Sequence, residues 1–177
     1  KSKIKAKIFF SPGNQELLPE NVDNYLSNIG YLNKTVIKND IRFIILNSSE
    51  KKSNIINYLN ENLRNDNKTN LILTHHRIWD DSIIDKESYS HDKSFYFEDI
   101  YPIINGKVKA IFAGNSKRQY FRDLNDHGGY GKQNVNLIYW MDKIGSIGLY
   151  SIGMGDGRPK ATFTIVDIVD DKIIVNG

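Results

Sequence analysis

Three short apolar runs, each followed at once by polar residues, constrain the fold of this chain more than any other feature. They are "KIFF" before "SPGNQE", "LILT" before "HHR" and "AIFA" before "GNSKR". Runs that are apolar throughout are typical of strands buried on both faces of a sheet. The polar residues after each run then lie at the carboxyl end of a strand, where open α/β sheets bind their ligands.

Helical patterns alternate with these strands until about residue 106, and the remainder is predicted to be strands. The predicted helices are Glu20 to Asn28, a helix capped by Ser48 or Ser49 that runs to about Arg64, and "FYFEDIYPIINGK". The predicted strands begin with Ile4 to Phe10, followed by "KTVIK" and "IRFIILN", which form a hairpin through "ND" or two neighbouring strands. After the two later runs above come Asn134 to Trp140, Ile147 to Ile152, and Ala161 to Ile168 with a closing hairpin into "KIIV". This order predicts a layered α/β fold with a mixed sheet.

Composition limits the class of protein. A chain of 177 residues is the size of one domain, so we expect residues 1–177 to form a single domain. The absence of cysteine excludes disulfides, thiolate metal sites and a cysteine nucleophile. The net charge of +3 is spread along the chain and does not indicate nucleic-acid binding. No apolar run is long enough for a membrane span and no targeting segment is visible, so we expect a soluble chain whose compartment stays open.

The order of the strand ends resembles the calcineurin-like metallophosphoesterase family, including its purple-acid-phosphatase branch. The matching stretches are "GNQE", "RFIILNSS", "LILTHH", "IFAGNSK" and the late "GLYSIGMGDGRPKATFTIVDI". The resemblance covers most of the chain and implies a layered metallophosphoesterase-like sandwich. The family's opening Asp-x-His and Gly-Asp segments have no counterpart here, so the resemblance also implies a carboxyl-side portion that is incomplete at its amino-terminal side.

The resemblance assigns part of a dinuclear metal site to this chain. Asn14 and His75 match two metal-ligating residues of the family, Glu16 matches the acidic residue of the first motif, and His76 matches a common second histidine. The cofactors implied are one or two divalent transition metals, Mn, Fe or Zn. The competing interpretation is structural, because Asn14 follows Pro-Gly in a turn, Glu16 is suited to cap a helix, and the two histidines end a strand.

Other positions depart from the family pattern. Gln15 stands where the family has its catalytic histidine, and Asn115 and Lys117 replace the two metal-binding histidines of the last motif. An amide is a weak ligand for these metals, and a charged lysine has no lone pair for a cation. Lys117 is instead able to pair with a carboxylate or phosphate. The simpler interpretation of Lys117 and Arg118 is a solvated basic loop.

Two functions stay open at this point. The first is a non-catalytic relative with a degraded metal site that binds an anion or a protein partner and needs no metal. The second is a metal-dependent phosphatase or phosphodiesterase whose site is completed by residues upstream of this chain. Whether the chain is an enzyme is therefore left undecided by the sequence.

Overall fold

The structure is a computed structural model that describes residues 6–76, 78, 99–114, 120–122, 147–151, 165–169 and 172–176. The helices among these residues are α1 (Val22–Ile29), α2 (Lys52–Asn62) and α3 (Tyr101–Ile104). The strands are β1 (Lys34–Lys38), β2 (Ile41–Leu46), β3 (Thr69–Thr74), β4 (Val108–Ala113), β5 (Tyr120–Arg122), β6 (Gly148–Ser151), β7 (Ile165–Val169) and β8 (Lys172–Asn176).

Six of these strands form a mixed sheet in the order β1-β2-β3-β4-β6-β5. The strands β2, β3, β4 and β6 are parallel, whereas β1 and β5 run antiparallel to their neighbours at the two edges. Parallel neighbours require a crossover connection, and α2 and α3 lie in the two crossovers that join β2, β3 and β4. The predicted α/β class with a mixed sheet is confirmed.

The sheet is covered on both faces, which explains why its central strands are mostly apolar. On one face, Ile55 and Leu59 of α2 and Ile104 of α3 pack against the alternate residues of β2, β3 and β4 that include Ile44 and Ile72. On the opposite face, the antiparallel hairpin β7–β8 packs against Leu71, Ala110 and Phe112, and its Ile173 is fully buried. The architecture is therefore layered, as predicted.

The ends of the helices follow local chemistry only in part. Gly30 ends α1 in the left-handed conformation, with φ of 82°, and donates its N–H to the Leu26 carbonyl at 2.8 Å. The prediction that Ser48 or Ser49 caps α2 is wrong, because Lys51 is the N-cap and no side chain caps this helix.

None of the helices in the described part of the chain has the length and apolar content that a bilayer span requires.

The strand predicted for Ile4 to Phe10 is not formed over residues 6–10, which are exposed. Side chains bind the Phe10 backbone where a neighbouring strand would do so. Phe10 donates its N–H to the Tyr31 hydroxyl at 2.8 Å, and Tyr25 donates its hydroxyl to the Phe10 carbonyl at 3.4 Å. The strand predicted for Asn134 to Trp140 lies outside the described residues, and the short strand β5 was not predicted.

The edge strand β1 begins and ends with lysine. It joins β2 through the predicted turn at Asn39 and Asp40, where Asn39 has φ of 54°, a left-handed conformation that asparagine tolerates. Ile37 near the end of β1 is 52% exposed. The Lys34 ammonium lies 4.5 Å from the centroid of the Tyr31 ring, so this lysine is held beside the strand by a cation–π contact.

A buried arginine ties together the amino ends of β2, β3 and β4. Arg42 of β2 is 3% exposed and donates to the Asp66 carboxylate and, at 2.8 Å, to Oδ1 of Asn70 on β3. Asn70 in turn donates to the Lys107 carbonyl just before β4, also at 2.8 Å. The hydrogen bond from Arg42 holds the pKa of Asp66 below its usual range. The charges of Arg42 and Asp66 are thus paired within the fold.

We expect Asn70→Ala to lower the free energy of unfolding by about 2–3 kcal/mol, because it removes buried hydrogen bonds to a guanidinium and to a backbone carbonyl. Urea unfolding measures the change. Asn60→Ala, at an exposed position of α2, is the control and should change stability by less than about 0.5 kcal/mol. Equal effects of the two substitutions would contradict the role given to Asn70.

Candidate functional site

The carboxyl ends of β2, β3 and β4 lie level with one another at the opposite edge of the sheet. Leu46 is paired with Thr74, and Thr74 is paired with Ala113. Gly114 extends the alignment by one residue, since it donates its N–H to the Thr74 carbonyl at 3.1 Å. The loops that follow these three strands therefore begin at the same level of the sheet edge.

The loop that carries "GNQE" reaches the same edge. Ser11 donates its hydroxyl to the Leu46 carbonyl at 3.1 Å, which places the start of the loop at the end of β2. Gly13 is buried against the His75 ring, and a Cβ atom at Gly13 would lie 3.0 Å from His75 Cε1 and 3.1 Å from Nδ1. A side chain at this position would require the imidazole to move by a few tenths of an ångström and the Glu16 carboxylate to shift.

Glu16 folds back onto its own loop. Its Oε2 atom accepts the N–H of Gly13 at 2.9 Å, so the carboxylate lies over the buried backbone that contacts His75. Asn14 and Gln15, between them, are exposed. The loop thus presents an amide pair and a carboxylate to solvent beside His75.

His75 is half-buried at the centre of this edge, where a Cβ atom at Gly114 would lie 3.4 Å from the His75 carbonyl oxygen. Burial lowers the pKa of His75, and the negative charge of Glu16 opposes this shift in part. The imidazole is therefore neutral near pH 7, so it has one N–H donor and one lone pair. Its Nε2 atom is buried and has no hydrogen-bond partner among the described residues.

His76 is directed into the interior, since it is 1% exposed. Its Nδ1 atom is 3.0 Å from the Ser48 hydroxyl oxygen, which also accepts the backbone N–H of His76 at 2.8 Å. Its ring meets the His75 ring edge to face, with centroids 4.6 Å apart. His76 therefore packs against His75 from the interior of the protein, whereas His75 is the histidine next to the loops.

Ser48, predicted as a helix cap, instead hydrogen-bonds His76 behind this edge of the sheet. The loop that carries it is fixed by Asn47, whose backbone N–H donates to Asn33 and whose side chain accepts the Ser49 N–H at 3.0 Å. Glu50 accepts hydrogen bonds from the side-chain amides of Asn33 and Asn47. The available signal was that "NSS" follows a buried strand, as the other site segments do.

The structure brings together Gly13, Glu16, His75 and Gly114, with His76 behind them. The other predicted site residues after β4, Asn115 and Lys117, lie outside the described residues, as does Arg118. Within the described ranges, no three His, Cys, Asp or Glu side chains are grouped closely enough to hold a metal ion.

No family model and no curated protein matches this sequence. Among solved structures, the chain is similar to a purple acid phosphatase isolated from the seeds of yellow lupin (Lupinus luteus), with 12% sequence identity and a TM-score of 0.44. The similarity covers 82% of this chain and 26% of the phosphatase chain, so this chain spans about a quarter of that protein's length.

The close approach of Gly13 to His75 leads to a test by substitution. Gly13→Ala should lower the free energy of unfolding by about 1–3 kcal/mol, because the new methyl group meets the imidazole and the Glu16 carboxylate. Gly114→Ala is the matched control, since its Cβ would lie 3.4 Å from the nearest atom, an ordinary contact. Equal tolerance of both substitutions in thermal unfolding would show that the loop does not press on His75.

The lowered pKa of His75 predicts a pH dependence of stability. In the unfolded chain a histidine takes up a proton near pH 6.5, whereas folded His75 does so only at lower pH. Between these pH values the unfolded state binds more protons, so stability falls as the pH is lowered. We expect His75→Gln to lose less stability than the parent protein between about pH 7.5 and about pH 5.5 in urea unfolding. Identical losses would contradict the shift.

Proposed function

We propose that this chain is a metallophosphoesterase-like domain without catalytic activity that binds a phosphate-like anion at the His75 edge of the sheet. In this proposal residues 1–177 form a single domain that corresponds to the carboxyl-side portion of the family fold. The observation that carries the proposal is the meeting of the "GNQE" loop, His75 and Gly114 at one sheet edge. These are the segments that carry the resemblance to the family.

The absence of catalysis in this proposal rests on which residues occupy the motif positions. Gln15 stands in place of the catalytic histidine, and an amide neither donates nor accepts a proton at neutral pH as an imidazole does. Asn115 and Lys117 stand in place of two ligating histidines. A site with these substitutions lacks the nitrogen ligands that hold a metal pair across a phosphate.

The anion is favoured by the chemistry of Lys117. This lysine follows Gly114 by three residues, and three residues of chain reach at most about 11 Å. Gly114 itself lies against the His75 carbonyl. A lysine so few residues after Gly114 would supply a positive charge where the family has a metal, and the neutral His75 imidazole would supply a hydrogen-bond donor through its N–H. A protein partner would bind the same groups through an acidic or phosphorylated side chain.

A specific observation supports the second candidate, a metal-dependent phosphoester hydrolase. His75 is neutral and its buried Nε2 atom has no hydrogen-bond partner in the described part of the chain, and the Glu16 carboxylate is close by. A neutral imidazole and a carboxylate suit Mn, Fe or Zn, with Asn14 as a further oxygen ligand. The described donors are too few to complete a site, so further ligands would have to come from elsewhere, and no catalytic step is derived.

Metal content and turnover separate the two candidates. For the anion-binding domain, purified protein should contain Mn, Fe and Zn far below one equivalent and should not cleave an aryl phosphate. It should bind inorganic phosphate in a titration followed by ³¹P NMR, and Lys117→Ala should weaken that binding by about five- to ten-fold through loss of one charge. Stoichiometric metal, with turnover that a chelator and His75→Ala both abolish, would establish the hydrolase instead.

A further inference from the structure

The loop beside His75 already contains a bound carboxylate, that of its own residue Glu16. Backbone N–H groups in glycine-containing loops are common binding points for phosphate. Here the N–H of Gly13 is taken by the Glu16 carboxylate at 2.9 Å. The contact is close enough that a Cβ atom on Gly13 would lie 2.5 Å from Glu16 Oε2. The carboxylate thus rests on the part of the loop that also touches the His75 ring.

The charge of Glu16 acts on the groups around it. The pKa of His75 is lowered by burial, and the Glu16 charge pushes it upward. Burial, Tyr31 and Glu16 together raise the pKa of Tyr25 to about 12. The Glu16 carboxylate therefore places a negative charge near both His75 and Tyr25 of α1. An incoming phosphate would meet this charge at the place where it needs donors.

We infer that Glu16 competes with the anionic ligand. Its carboxylate occupies the Gly13 N–H and repels phosphate from the His75 edge until the carboxylate is displaced or its charge is neutralised. The inference rests on the proposed anion-binding function and adds its regulation. A ligand that brings a cation, or a partner that pairs Glu16 with a lysine or arginine, would open the site. Phosphate alone would bind weakly.

The competition predicts a gain of affinity on substitution. Glu16→Gln keeps an oxygen that is able to accept the Gly13 N–H but removes the charge, so the loop conformation is preserved. The affinity for inorganic phosphate at low salt should rise by about five- to ten-fold, the effect expected for removal of one like charge near the ligand. Glu16→Ala, which also frees the N–H, should raise it at least as much. Added salt should shrink both gains.

Glu20→Gln is the matched control, because Glu20 is an exposed acidic residue four positions along the same segment. It should leave phosphate affinity within about two-fold of the parent value, since a screened charge farther from the site contributes little. Circular dichroism and thermal unfolding of each variant confirm that the fold is retained.

The outcomes separate this inference from the function on which it rests. If the parent protein binds phosphate in a Lys117-dependent manner but Glu16→Gln binds it no more tightly, the inference fails and the anion-binding function stands. If no variant binds phosphate, both fail. If Glu16→Gln instead weakens the binding of Zn²⁺ measured by calorimetry and leaves phosphate unbound, Glu16 is a cation ligand, which overturns the inference and supports the metal-dependent candidate.

Discussion

The parallel pairing of β2, β3 and β4 is the constraint on which the rest of the structure depends. Their register places Leu46, Thr74 and Ala113 side by side, so the three strands end at the same level of the sheet. The pairing requires helices in the crossovers, and those helices bury one face while the β7–β8 hairpin buries the other. Strands covered on both faces have few places for polar groups except their ends.

The polar groups at the two ends of these strands differ in whether the fold provides their hydrogen-bond partners. At the amino ends, the buried Arg42 guanidinium donates hydrogen bonds to Asp66 and Asn70, so its charge is paired within the fold and needs no ligand. At the carboxyl ends, His75 keeps a buried ring nitrogen without a hydrogen-bond partner in the described residues. A buried polar group without a hydrogen bond lowers the stability of the fold, and a ligand that bonds to it offsets this loss.

Residue patterns predict much of this fold, because apolar runs and turn residues act locally. The β1–β2 hairpin, β3, β4 and the closing hairpin all form where such patterns predict them. Long-range contacts decide the rest. Ile4 to Phe10 has the pattern of a strand, yet tyrosine hydroxyls bind the Phe10 backbone instead. Ser48 lies where a cap is expected, but His76, 28 residues away, takes its hydroxyl. The contact of Gly13 with His75 depends likewise on packing that no local pattern encodes.

The lysines at the ends of β1 bear on how copies of this protein meet one another. An exposed edge strand presents free backbone groups to which a second copy is able to add. An antiparallel copy centred on Val36 would set Lys34 opposite Lys38 at both ends of the new pair, and like charges directly opposite destabilise such a pairing. The exposed Ile37 lies between these two lysines, next to Lys38. The two lysines therefore disfavour this pairing of two copies at the β1 edge, and the effect weakens at high salt, where their repulsion is screened.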